Sequence, residues 1–138
     1  MVRFPILFAL IMLPAALPAD PAAPARKSVN DGSRGARVYM QNCASCHMVD
    51  GGGVPGLQPP LIADPVIGSH SPKLLIDVIL KGPSSVLPAG GPRYGNTMPA
   101  FPSLTDRDTA GLVSFLRRTF GHDTEPVPAA TVAAERAP

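Results

Sequence analysis

The run Cys43-Ala44-Ser45-Cys46-His47 has the residue types and spacing best suited to chemistry in this chain. Its form, C-x-x-C-H, reads as a c-type haem attachment site. Two thiols three residues apart on one helical turn can each add to one of the two vinyl groups on a haem edge. Both thioether bonds then form without uncoiling the backbone. The histidine directly after the second cysteine is carried to the ring face, where an imidazole nitrogen can bind iron. The expectation is one haem c, joined through Cys43 and Cys46, with His47 as an iron ligand.

Other uses of the same residues fit less well. A structural zinc site wants four Cys or His ligands. The chain has two cysteines, both in this motif, and His70 and His122 do not form an H-x₃₋₅-H pair. A thioredoxin-like pair needs a βαβ setting, and no strand-helix-strand pattern is present. A disulfide here would close a very small loop and add little through chain entropy. A haem-free redox or metal-binding thiol module is therefore the weaker reading.

The second axial position on iron decides the function, because an open site allows gas or peroxide chemistry and a filled one favours electron transfer. The candidates are Met40, Met48, Met98, His70 and His122. Met40 and Met48 are too near the attachment turn to reach the opposite face. His122 lies beyond the last helix, and His70 sits beside a helix cap, where a solvent-facing role suffices. Met98 follows a Pro/Gly-rich run and precedes Pro99, so it belongs to a stiff extended loop, and it is the best choice. A lone methionine is more often core filler, but a soft, neutral thioether in such a loop would stabilise ferrous iron and raise the potential.

Three helices can position these residues. The first starts at Asp31 or Ser33, either of which can cap it, and runs into the attachment turn. Gly35 and Tyr39 share one of its faces; the glycine lets another helix approach, and Tyr39 reads as an ordinary core aromatic. The second starts at Ser71-Pro72, carries Leu74, Leu75, Val78 and Ile79 at helical spacing, and stops at Lys81-Gly82. The last is capped by Thr105 with Asp108 three residues on. It presents Leu112, Phe115, Leu116 and Phe120 on one face, and ends at Gly121 after Arg117 and Arg118. Between them lie irregular stretches: Asp50 to Leu61, where three glycines permit a tight turn beside a flat ligand, and Gly82 to Gly95. No alternating strand pattern occurs, so the fold class is all-α.

The chain has 138 residues, no tryptophan and 18 prolines, and a net charge of +2. That is room for one domain. Residues 1–19 read as a secretory signal, with Arg3 ahead of an apolar stretch and cleavage after Ala19 or as late as Ala25. The stretch is shorter than the roughly 20 residues of a spanning helix. Export to the periplasm is expected, with no stable membrane insertion after signal removal. Residues 20–32 read as a Pro/Ala-rich linker, 33–121 as the folded domain, and 122–138 as a disordered tail. So small a domain gains from a staple, which a covalently held porphyrin would provide. No basic stripe interleaved with aromatics supports nucleic-acid binding, and no dense lysine ring would steer an acidic partner.

Taken together, Gly35-x-x-x-Tyr39, Cys43-x-x-Cys46-His47, the stretch Asp50-Gly51-Gly52-Gly53-Val54-Pro55-Gly56, Pro59-Pro60-Leu61, Met98-Pro99-Ala100-Phe101 and Leu104-Thr105-Asp106 resemble a class I c-type cytochrome, a small monohaem electron carrier. The chain looks most like the cytochrome subunits and domains that serve periplasmic dehydrogenases. The resemblance implies a small cytochrome c fold, with three to four helices around one covalently attached haem and long Pro/Gly-rich loops. It implies that the first and last helices cross near Gly35, Tyr39 and the Leu112/Phe115/Leu116 face. It implies His47 and Met98 as axial ligands, the Pro60 carbonyl as hydrogen-bond acceptor for His47, and Arg93 or Tyr94 as contacts to a haem propionate. The function it implies is one-electron transfer, not catalysis, from a dehydrogenase donor to an oxidase or another cytochrome. A haem enzyme or gas-binding protein with an open sixth site is the alternative.

Overall fold

The computed structural model describes residues 28–137, so the expected signal and most of the expected linker lie outside the described residues. Helix α1 spans Arg34–Asn42. Of its two candidate caps, Ser33 takes the position: its Oγ accepts from the Ala36 amide at 3.1 Å. Asp31 braces the cap by accepting from the Ser33 amide at 2.9 Å. Helix α2, Ala44–His47, is the single turn that carries the attachment motif.

Helix α3 spans Lys73–Lys81. It opens one residue later than Ser71-Pro72 suggests: Pro72 holds the cap position and the Ser71 hydroxyl accepts from the Lys73 amide at 3.3 Å. Gly82 ends it, with φ at +81°. The stretch after Gly82 is less irregular than expected. Pro83–Val86 forms the short helix α4, started by the proline whose fixed φ suits a first helical position. Helix α5, Asp106–Phe120, is capped as expected, with the Thr105 Oγ1 accepting from the Asp108 amide at 3.1 Å.

Helices α1 and α5 make the main contact of the fold. Gly35 permits it. A Cβ there would lie 2.1 Å from the Gly111 carbonyl oxygen and 2.5 Å from Phe115 Cβ. Tyr39, fully buried, fills the space beside the crossing, with its ring centroid 5.5 Å from Phe115 and 6.1 Å from Phe120. Its hydroxyl donates to the Met48 carbonyl at 2.6 Å, so the polar end is satisfied and the turn after the motif is tied to α1. Burial and the neighbouring Cys43 both raise the phenol above its ordinary pKa.

The disordered tail expected over 122–138 needs correction. Ala129–Arg136 forms helix α6, which packs on α5 and α3. Val127 and Val132 are buried in the core beneath it. One buried valine within it, Val132, and one just before it, Val127, anchor a helix rich in alanine, the best helix former, on a ready core. The buried Arg117 ties the incoming segment down: its guanidinium donates to the Ser69 and His70 carbonyls at 3.2 and 2.9 Å and pairs with Asp123.

No strand occurs among the described residues, only an isolated antiparallel bridge between Val54 and Gln58. The architecture is all-α. No helix among the described residues is long and apolar enough to cross a membrane.

Candidate functional site

A cavity of about 850 Å³ lies between α2, α3, α5 and the two long loops, and Cys43, His47 and Met98 all line it. Its walls are largely apolar, including Leu61, Ile67, Leu75, Ile79, Leu112 and Leu116. The volume falls in the upper range of cofactor pockets.

His47 is held in place from two sides. Its amide donates to the Cys43 carbonyl at 2.8 Å within the α2 turn, and its side chain is buried. Its Nδ1 lies 3.0 Å from the Pro59 carbonyl oxygen. A carbonyl can only accept, so Nδ1 carries the proton, and Nε2 is the ring nitrogen left to face a metal. A histidine braced in this way is fixed in tautomer and orientation for a metal.

The acceptor is Pro59 and not the expected Pro60. Backbone register explains the difference. Val54 and Gln58 exchange hydrogen bonds of 3.1 and 2.9 Å, and the Leu61 amide donates to the Gly51 carbonyl at 2.8 Å. These bonds bring the carbonyl of Pro59 to the imidazole. Gly53 makes the approach possible: at φ +64°, a Cβ there would lie 2.6 Å from the Pro59 carbonyl group.

Cys43 is half-buried and lines the cavity, while Cys46 is exposed on the same turn and is not among the lining residues. Burial, and then the neighbouring Cys46, push the Cys43 thiol up to about 12. Redox and metal-binding cysteines work as thiolates and sit where the pKa is lowered, so this environment disfavours a thiol-redox module. Among the described residues no group of three or more His, Cys, Asp or Glu side chains could hold a metal ion by itself.

Met98 is the one member of the second-ligand candidates to line the cavity with His47. Met40 packs against the core, and Met48 follows the attachment turn at φ +65°. The loop carrying Met98 is pinned to α3, where the Phe101 amide donates to the Ile79 carbonyl at 2.9 Å. Of the two propionate candidates, Tyr94 lines the cavity and Arg93 does not. Reading the residues alone missed Pro59 and the wall supplied by residues 61–67. The only hint was the Pro59-Pro60-Leu61 run, because side chains on a loop show no periodicity.

A cavity this apolar, with a paired-cysteine turn at its edge and an imidazole offering a free nitrogen, fits a haem. It defines a haem-binding protein. The cytochrome c family profile matches residues 32–120, and the chain belongs to that family. Covalent haem c, joined through the Cys43/Cys46 pair, is the cofactor of such a chain.

Several relatives resemble it. The cytochrome c subunit of the quinone alcohol dehydrogenase of Gluconobacter oxydans is 38% identical over 93 residues, covering 67% of this chain and 19% of that protein. The gluconate 2-dehydrogenase cytochrome c subunit of Pantoea cypripedii is 35% identical over 105 residues, covering 75% and 24%. Cytochrome c-552 of Thermus thermophilus is 32% identical over 90 residues, covering 63% and 68%. The match thus spans about a fifth to a quarter of the length of these dehydrogenase subunits.

Proposed function

We propose that this protein is a periplasmic one-electron carrier whose haem iron is bound by His47 and Met98. It receives electrons from a dehydrogenase and passes them to an oxidase or another cytochrome. The observation that carries this reading is the placement of Cys43, His47 and Met98 around one apolar cavity. Haem c supplies a ferrous/ferric couple there. The chain's own residues keep that couple simple. Pro59 holds the His47 ring, the pinned loop holds Met98, and the apolar walls keep water out, so little needs to rearrange when charge changes. The dehydrogenase donor is supported by the alcohol and gluconate dehydrogenase subunits among the relatives. Export is supported by the Arg3-led apolar stretch over residues 1–19, and residues 33–121 are the proposed carrier domain.

The test is the ligand field. Ferric protein should show the weak far-red charge-transfer absorption of sulfur-ligated haem. Met98→Ala should keep its haem through denaturation but lose that absorption, and bind cyanide or, when reduced, carbon monoxide. Wild-type protein that already binds carbon monoxide freely would favour the gas-binding alternative and remove the carrier reading.

A further inference from the structure

Beyond the family match, which ends at residue 120, the C-terminal helix reaches back to the loop that carries Met98. Arg136, in the last turn of α6, donates through Nε to Asp106 Oδ1 at 2.7 Å and through Nη1 to the Pro102 carbonyl at 3.0 Å. Its Nη2 donates to the Leu104 carbonyl. One planar guanidinium therefore grips three consecutive features: the end of the Met98-Pro99-Ala100-Phe101-Pro102 run, the turn after it, and the first residue of α5.

The grip completes a frame. On the other side of the loop, Phe101 is pinned to Ile79. A Cβ on Gly82 would come within 3.6 Å of the Ala100 amide nitrogen, so α3 ends directly against the same run. Residues 100–104 are fixed from α3 and α6 together, and Met98 hangs two residues before the fixed part. Arg136 is itself anchored, because its neighbour Glu135 pairs with Lys73 at the start of α3. Hydrogen bonds from a charged donor are stronger than neutral ones, and a fork holds direction as well as distance.

We infer that Arg136 is a positioning residue that uses α6 as a strap to hold the Met98 loop closed over the cavity. This rests on the reading of Met98 as iron ligand. Loss of the guanidinium frees two carbonyls and lets the loop lift while the helical core stays folded. Such local opening needs less free energy than global unfolding and is visible by itself. Arg136→Lys keeps the charge but replaces the fork with a point charge, so it restores the hold only in part.

The experiment uses haem-loaded full-length protein and four forms: wild type, Arg136→Ala, Arg136→Lys and Arg118→Gln. The last breaks a different exposed ion pair, to Asp31, and controls for general loosening. In Arg136→Ala, cyanide should bind the ferric protein about tenfold faster, the factor expected for losing one or two charge-assisted hydrogen bonds from the closed loop. Its far-red absorption should bleach at lower guanidinium than its far-UV circular dichroism, and Arg136→Lys should fall between it and wild type. Cyanide binding in Arg136→Ala at the wild-type rate overturns the inference, and so does an equal acceleration in Arg118→Gln. If wild type lacks the far-red absorption, the Met98 assignment fails and the inference fails with it. If wild type shows it and in Arg136→Ala it bleaches together with the far-UV circular dichroism, the inference fails alone.

Discussion

Gly35 shows how one missing methyl group sets a helix crossing. With the Gly111 carbonyl oxygen 2.1 Å from where a Cβ would stand, and backbone rather than a flexible side chain in the way, Gly35→Ala must push α1 off α5. Overpacking of this kind costs about 1–3 kcal/mol. Chemical denaturation of the haem-loaded protein should show that loss, while Gly111→Ala, whose Cβ would meet its nearest neighbours at an ordinary 3.4 Å, should lose less. Asp31 works through charge instead. Hydrogen bonds from Ser33, with Arg118 adding attraction, hold its carboxyl down from 3.8 to about 2. A carboxylate whose folded pKa is depressed binds its proton more readily when unfolded, so its stabilisation is present in full above the unfolded value and is lost on acidification. Between about pH 4 and pH 2 the stability advantage of wild type over Asp31→Asn should shrink toward zero. An advantage that stayed constant across that range would show that Asp31 does not act through its charge. Because the side chain is 43% exposed, salt should weaken the effect as well.

Helix α6 carries the prediction that belongs to elements. Ending the chain after Pro126 removes Val127 and Val132, both buried, and with them the cover over α3 and α5. Burial of two valines is worth on the order of 3 kcal/mol. The truncated protein should still fold around its haem, since α1, α3 and α5 are intact, but unfold at a clearly lower denaturant midpoint; an unchanged midpoint would mean that α6 does not dock in solution. The three main helices were legible in the sequence because caps and apolar spacing agree with each other, as at Ser33, Thr105 and the Leu112/Phe115/Leu116 face. The C-terminal helix was not, because alanine gives no periodic signal and Val132 alone marks its buried side. The turn Pro83–Val86 was hidden by its own proline and serines. At the site, the cysteine pair was legible from spacing; His47, singled out by spacing, and Met98, by elimination and loop stiffness, both line the cavity. The Pro59 brace was displaced by one residue, since a carbonyl's direction depends on the Val54–Gln58 bridge and the register it sets, which no side-chain pattern encodes.

At the scale of the whole molecule, the question is how a redox partner meets the cavity. Ile62, Leu87 and Tyr94 are large, exposed and among the lining residues, so apolar surface surrounds part of the opening. Asp64 is the acidic residue among the lining set, and its Oδ1 already accepts from the Val66 and Ile67 amides at 2.9 and 3.1 Å. The net charge of the chain is only +2. Long-range steering needs a concentrated field of one sign, and the residues lining the cavity do not gather one. Encounter should therefore depend on apolar contact over a small, short-lived patch, as in other electron-transfer pairs. Two small oxidants of opposite sign separate these possibilities without a natural partner: hexacyanoferrate(III) and a cationic cobalt(III) phenanthroline complex. In stopped-flow oxidation of the reduced protein, both second-order rate constants should change by less than about tenfold between low and high salt, where screening shortens from about 30 Å to about 3 Å. Ile62→Lys should then create the missing field, speeding the anion and slowing the cation at low salt only. A steep salt dependence for wild type with either oxidant would mean that charge, not the apolar rim, governs approach to the haem.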